Sequence, residues 1–308
     1  MKKCEIVKLE PLGFCFGVVR ALNFVKESIS NNSKPIYLIG NLVHNRFVSE
    51  YLKDLGIIIK DEINKEKIID EINDGTVIFT AHGISKAIKD KAIQKKLNVI
   101  DTTCPFVNKS FALILEKIND NYEVLYLGKK NHPETIAALS LSPKVHLIES
   151  SDDLDKLFPL TGKVALTNQT TMSPLDLDLI KSIALKKFPQ LNLIKKTCFA
   201  TNERQEILRQ VALKAKNEGQ VAFIVIGDKT SNNTKKLTET ASSLSGKDVF
   251  QVETLNDLPF NKLKFYKKIY LTSGTSTPYA IVEEIYEYLI KGEFVSTKSQ
   301  LQLKDYIK

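Results

Sequence analysis

Of the four cysteines in this 308-residue chain, Cys15, Cys104 and Cys198 recur at nearly even spacing and in one local setting. Each follows a short apolar run and precedes a helical pattern. Ile6–Leu9 leads into Cys15 and Val18–Ser28 follows; Val99–Ile100 and Phe106–Ile118 flank Cys104; Leu193–Ile194 and Asn202–Ala215 flank Cys198. A thiol at a helix start lies beside unpaired N–H groups and the positive end of the helix dipole, which favours the metal-binding thiolate. Without a C-x-x-C pair, a ribbon-type zinc site is disfavoured. Three thiolates suit a cubane iron–sulfur cluster in which one iron lacks a protein ligand, and an open iron is a Lewis acid able to hold a substrate oxygen. A three-cysteine zinc hydrolase acting on a phosphorylated metabolite remains a second reading, and inert buried thiols a third. Cys4, at the start of a strand pattern, reads as a small buried hydrophobe.

Three of the four histidines stand in turn-like strings, Leu42-Val43-His44-Asn45, Thr80-Ala81-His82-Gly83 and Asn131-His132-Pro133-Glu134. Imidazole N–H groups donate to phosphate oxygens and titrate near neutral pH. His146, inside the run Val145–Ile148, is given only a structural part. Hydroxyl and amide clusters end other strand patterns: Thr167-Asn168-Gln169-Thr170-Thr171, Thr230-Ser231-Asn232-Asn233-Thr234 and Thr272-Ser273-Gly274-Thr275-Ser276-Thr277. Singly these are helix caps; together they suit a cradle holding phosphate with neutral donors and helix N-termini. Glu134 is either a proton donor beside a ligand-filled cavity or a carboxylate favoured by a helix N-terminus, and the two readings stand side by side. The chain has no Walker A string, no G-x-G-x-x-G and no H-E-x-x-H.

The elements that must position these residues alternate throughout. Strand-like runs at 36–39, 56–59, 76–79, 99–100, 124–127, 145–148, 164–166, 221–226 and 269–271 alternate with helices bearing one apolar stripe, such as Ile207, Leu208, Val211, Ala212 and Ala215. That rhythm predicts an α/β protein with three similar units, 1–104, 105–197 and 198–308, the extreme N-terminal strand packing with the third. Parallel sheets bind ligands beyond the carboxyl ends of their strands, so the three cysteine turns are expected to face a common centre. Ordinary composition, 43% hydrophobic and 26% charged, excludes wholesale disorder. Apolar runs of about six residues are too short for a membrane span, which needs about 20. Glu5, Lys8 and Glu10 interrupt any signal-peptide core after Lys2 and Lys3, so a cytoplasmic chain is expected. The net charge of +8 is scattered lysine; Lys86, Lys89, Lys91, Lys95 and Lys96 fall on the solvated face of a helix rather than on a nucleic-acid stripe.

The ordered strings Gly13-Phe14-Cys15-Phe16-Gly17-Val18, Val43-His44-Asn45-Arg46, Ala81-His82-Gly83-Ile84-Ser85, Thr102-Thr103-Cys104-Pro105, His132-Pro133-Glu134, Gln169-Thr170-Thr171, Cys198-Phe199-Ala200-Thr201, Arg204-Gln205, Ser231-Asn232-Asn233 and Ser276-Thr277-Pro278 together resemble the 4-hydroxy-3-methylbut-2-enyl diphosphate reductase family, also called IspH or LytB. The resemblance implies a trefoil of three α/β domains around a 4Fe-4S cluster held by Cys15, Cys104 and Cys198, whose apical iron meets the substrate's allylic hydroxyl. It implies that His44, His82, His132, Ser231, Asn233 and Ser276 hold the diphosphate, that Thr170 binds the substrate and orders the hydroxyl and water network, and that Glu134 supplies protons, with His132 and Thr170 counted beside it as catalytic residues. The family reaction is a reductive dehydroxylation to isopentenyl and dimethylallyl diphosphates, the last step of the non-mevalonate pathway, with ferredoxin or flavodoxin as electron donor; no nucleic acid and no membrane take part. Asn232 departs from the family, which usually has serine there; a substrate-binding role is carried to it as an amide in place of a hydroxyl. Phe16 and Phe199 are bulkier or less polar than usual and are expected to affect packing only; the tail after Lys291 is given no function.

Overall fold

The most apolar runs become the central strands. Val221–Ile226 is buried at every position, as a parallel strand covered on both faces requires, and Thr76–Phe79 is likewise buried throughout. The structure, a computed structural model, describes residues 4–31, 34–157, 160, 162–194, 198–295, 299 and 301; Lys2, Lys3 and most of the tail after Lys291 lie outside them.

Among the described residues the strands form three parallel four-stranded sheets. The first strand is β1 (Glu5–Lys8). One sheet, ordered β3-β2-β4-β5, is built from β2 (Ile36–Ile39), β3 (Ile58–Lys60), β4 (Thr76–Phe79) and β5 (Asn98–Asp101). A second, ordered β7-β6-β8-β9, contains β6 (Tyr122–Leu127), β7 (Val145–Ile148), β8 (Lys163–Asn168) and β9 (Asn192–Leu193). In the third, β10 (Val221–Ile226), β11 (Asp248–Val252) and β12 (Lys268–Ser273) join the N-terminal strand in the order β1-β12-β10-β11. Ile6 pairs with Ile269 and Phe223 with Tyr270, so the first and last strands of the chain share one sheet. The α/β class and parallel sheets expected from the alternating rhythm are therefore present.

Contacts divide the chain into two compact units. The first comprises the residues up to Phe16, His44–Tyr51 and Ala200 onward, and holds the third sheet. Its core packs Phe223, Val225, Leu208, Ala212 and Leu237 together. The second comprises Gly17–Val43 and Leu52–Phe199 and holds the other two sheets. There β6 alternates: Leu125 and Leu127 pack with Leu166 and Ile180, while Val124 and Tyr126 face Ile114, Ala138 and Ala165. Each fully buried large side chain contributes about 1.5–3 kcal/mol.

β11 was not expected as a strand. Asp248 and Gln251 break its apolar run, and its position at the sheet edge, paired only with β10, tolerates that polarity. The lysines of the helix Lys86–Gln94 pair locally: Lys89 with Asp101, and Lys91 with Glu66 and Asp70. No helix among the described residues is long and apolar enough to cross a membrane.

Candidate active site

β6 ends at Leu127, and the chain turns through 128–131 into the short helix Pro133–Leu139. His132 caps that helix in an extended backbone conformation, and Pro133 supplies its first residue with φ preset. The His132 Nδ1 accepts from the Glu134 backbone N–H at 3.2 Å, so the neutral ring carries its proton on Nε2, as a donor. The His82 ring meets it edge-on, centroids 5.1 Å apart.

Glu134 sits in the first turn of this helix and is 0% exposed. Its Oε1 accepts from the Thr170 backbone N–H at 2.8 Å and from the Tyr126 hydroxyl at 3.2 Å. Its Oε2 lies 2.7 Å from the Thr170 hydroxyl. Burial raises the carboxyl pKa to about 7 against the opposing pull of these hydrogen bonds. Glu134 is thus a first-turn carboxyl whose charged form is held back by burial, so that it sits near neutrality. Gln169 ties the Thr170 loop to the His132 loop, its Oε1 accepting from the Lys129 N–H at 3.0 Å and the Thr135 hydroxyl at 3.2 Å.

All four cysteines lie outside disulfides. Cys104 caps the helix Pro105–Asn119, with proline next and no capping hydrogen bond from its own side chain. Its N–H donates to the Ala81 carbonyl at 3.0 Å, joining it to the His82 loop. Arg20 donates to the carbonyls of Thr102 and Thr103 at 3.3 and 3.1 Å, fixing the turn before it. Cys198 directly precedes the helix Phe199–Ala215. The Phe106 and Phe199 rings meet at 6.0 Å, which makes the helix starts of Cys104 and Cys198 neighbours; Phe199 is otherwise 68% exposed. Among the described residues no three His, Cys, Asp or Glu side chains are gathered closely enough to hold a single metal ion.

The first unit contains Cys15, His44, Ser231, Asn232, Asn233 and Ser276. The Cys15 N–H donates to the Thr275 carbonyl at 3.0 Å. Buried Arg204 pins this loop, donating to the Gly13 carbonyl at 2.7 Å and the Ser273 carbonyl at 2.9 Å. Gly13 is at φ +74°, which a side chain would strain. Ser231 caps the helix Asn232–Ser245, its hydroxyl accepting from the Thr234 N–H at 3.3 Å. The Ser276 hydroxyl lies 3.5 Å from that of Ser231 and 3.2 Å from the His44 carbonyl. Asn233 is buried with neither side-chain amide atom hydrogen-bonded to any of the described residues, while Asn232 is half-buried. Beside it, burial pushes the Asp228 carboxyl up, but bonds from Thr230 and the Arg46 N–H hold it below its usual value. An anion at this helix start would meet hydroxyls, amide donors and the positive dipole end.

The structure thus groups Glu134, Thr170, His132 and His82, and separately His44, Ser231 and Ser276. Sequence reasoning missed Tyr126, which reads as core, and the clamp made by Arg204, present only as part of a matched string.

The comparisons agree across the chain. Residues 6–290 match the LytB protein family. The chain is 38% identical over 288 residues to the 4-hydroxy-3-methylbut-2-enyl diphosphate reductase of Geobacillus kaustophilus, spanning 92% of this chain and 90% of that one. It is 40% identical to the Listeria monocytogenes protein of the same name, over 92% of this chain and 86% of the other. The solved E-1-hydroxy-2-methyl-but-2-enyl-4-diphosphate reductase from Plasmodium falciparum superposes with a TM-score of 0.83 at 35% identity, covering 96% of this chain and 91% of that chain. A second solved structure, described as the terminal enzyme of the non-mevalonate pathway, gives 0.64 at 29% identity over 94% and 99%. With its parallel sheets, its buried acid and these relatives, this chain belongs to the LytB protein family.

Proposed function

We propose that this protein reduces (E)-4-hydroxy-3-methylbut-2-enyl diphosphate to isopentenyl and dimethylallyl diphosphates, in the cytoplasm, with Glu134 as the acid. The observation that carries the assignment of the acid is the buried Glu134 carboxyl, titrating at about 7 and bonded through Oε2 to the Thr170 hydroxyl. The reaction consumes two electrons and two protons; one proton leaves with the hydroxyl oxygen as water and the other ends on carbon. An allylic hydroxide is a poor leaving group, and an acid half-protonated near neutral pH is matched to its departure. Protonated Glu134 donates from Oε2 to Thr170, whose own hydroxyl proton is then available to the substrate oxygen. His132, held with Nε2 as a donor, and His82 against it supply N–H groups for the diphosphate. Ser231, Asn232, Asn233, Ser276 and His44 are assigned the same ligand, and the buried, unbonded Asn233 amide supports that role. Holding the diphosphate spends binding energy remote from the reacting carbon to orient it.

A 4Fe-4S cluster fits the residues present. Cys15, Cys104 and Cys198 are thiols outside disulfides, each heading a helix, and thiolate donors suit iron and sulfide. Such a cluster is broader than a single ion and is served by thiols set farther apart than one ion requires. When bound, the cluster supplies single electrons and Lewis acidity, with ferredoxin or flavodoxin as the source of electrons. The test is Glu134→Gln in the holoprotein: substrate binding should persist while turnover falls by about 10²-fold or more. Full turnover would remove Glu134 from the mechanism.

A further inference from the structure

Tyr126 occupies a position that core packing alone would give to Val, Ile or Leu, as at its neighbours Val124, Leu125 and Leu127. Its ring is 0% exposed and packs among Ile114, Ala138, Val145 and Ala165. A buried phenol needs a hydrogen-bond partner, and here it is a carboxyl oxygen, Glu134 Oε1 at 3.2 Å. Room for the ring comes from Gly128, where a Cβ would stand 2.9 Å from Tyr126 Cε1 and 2.6 Å from the Thr135 hydroxyl. Burial and the Glu134 charge hold the phenol well above its ordinary value, so it stays protonated as a donor.

The two carboxyl oxygens are therefore unlike. Oε1 faces two donors, the Tyr126 O–H and the Thr170 N–H, and protonating it would crowd a third proton against them and leave only a weakened acceptor for the two. Oε2 faces the Thr170 hydroxyl, which can both give and take. We infer that Tyr126 is a positioning residue for the acid: by donating to Oε1 it fixes the carboxyl so that the transferable proton rides on Oε2 toward Thr170, and it stabilises the carboxylate left behind. This inference rests on the reading that Glu134 is the proton donor. The other titratable groups near the carboxyl are His132, whose Nδ1 takes the Glu134 N–H, and His82, which touches the His132 ring. Removing the phenol oxygen alters neither contact.

The test compares the holoprotein with Tyr126→Phe, which keeps the ring, by two readouts: the pH profile of kcat and the infrared band of the protonated carboxyl, identified by its absence in Glu134→Gln. Losing one hydrogen bond to the charged form should move the carboxyl titration up by about 1 pH unit. The alkaline limb of kcat should move with it. Turnover on the acid plateau should fall roughly 3- to 10-fold at unchanged KM, as a weaker and less fixed acid requires. Replacing Tyr126 by 3-fluorotyrosine, a stronger donor of nearly the same shape, should shift the band downward. The infrared readout needs no turnover. If Glu134→Gln is inactive but Tyr126→Phe leaves both the band and the limb within about 0.3 unit of the parent, Tyr126 is core packing and the inference is overturned. If Glu134→Gln itself turns over normally, the failure lies with the acid assignment instead.

Discussion

Replacing Glu134 by Gln should stabilise the protein in alkaline solution while lowering its turnover by about 10²-fold or more. Glu134 is wholly buried, and its pKa rises from 4.5 to about 7, the largest cause being burial, which the three hydrogen bonds only partly offset. Between those values the native carboxyl keeps a proton that the unfolded chain has lost, so the native state binds more protons. Its contribution to stability is fully present below about pH 4.5, declines as pH rises and is lost past about 7. At about 1.4 kcal/mol per unit, the displacement is worth roughly 3 kcal/mol. Glutamine copies the neutral acid: its carbonyl can accept from Tyr126 and the Thr170 N–H, and its amide N–H can face the Thr170 hydroxyl. The assay is the urea midpoint of parent and variant, anaerobic, from about pH 5 to about 8.5. The two should nearly coincide at the acid end, with the variant more stable by roughly 3 kcal/mol at the alkaline end. Every other titrating group is common to both, so parallel profiles would refute the argument that Glu134 is buried at a cost to its charged form.

Cys15→Ser, Cys104→Ser and Cys198→Ser should each lose iron and acid-labile sulfide, whereas Cys4→Ser, at a half-buried thiol just before β1, the edge strand of the third sheet, should keep both; equal iron in all four would remove the ligand assignment. Asn233→Leu should raise the stability of the substrate-free protein by about 1–2 kcal/mol, because two buried polar atoms without bonds are removed, while weakening calorimetric binding of inorganic pyrophosphate by about tenfold or more. Unaltered pyrophosphate binding would take Asn233 out of the anion site. Arg204→Lys should lower stability by about 2 kcal/mol and reduce iron content through the Cys15 loop, since the single nitrogen of lysine lacks the planar fork that reaches the Gly13 and Ser273 carbonyls from two separate nitrogens. Stability unchanged in urea would show that the clamp carries no load.

Much of this was legible because the informative residues are local. A cysteine between an apolar run and an amphipathic helix announces its own turn, and His132-Pro133-Glu134 announces a cap, a first residue and a first-turn acid. What adjacency cannot carry was lost. Tyr126 lies in an apolar string and reads as core, and only the fold shows that its hydroxyl meets a carboxyl eight residues on, in space opened by Gly128. Arg204 meets Gly13 across most of the chain, a pairing fixed by β1 joining β12 rather than by any nearby residue. β11 escaped because an edge strand needs no continuous apolar run. The state of Glu134 likewise depends on burial, which no local pattern measures.

The most direct measurement is turnover by the anaerobically purified chain, with its iron and acid-labile sulfide determined on the same sample. Given (E)-4-hydroxy-3-methylbut-2-enyl diphosphate and a reduced viologen dye, it should consume the substrate and yield isopentenyl and dimethylallyl diphosphates. A preparation with full iron and sulfide that leaves the substrate untouched would contradict the account.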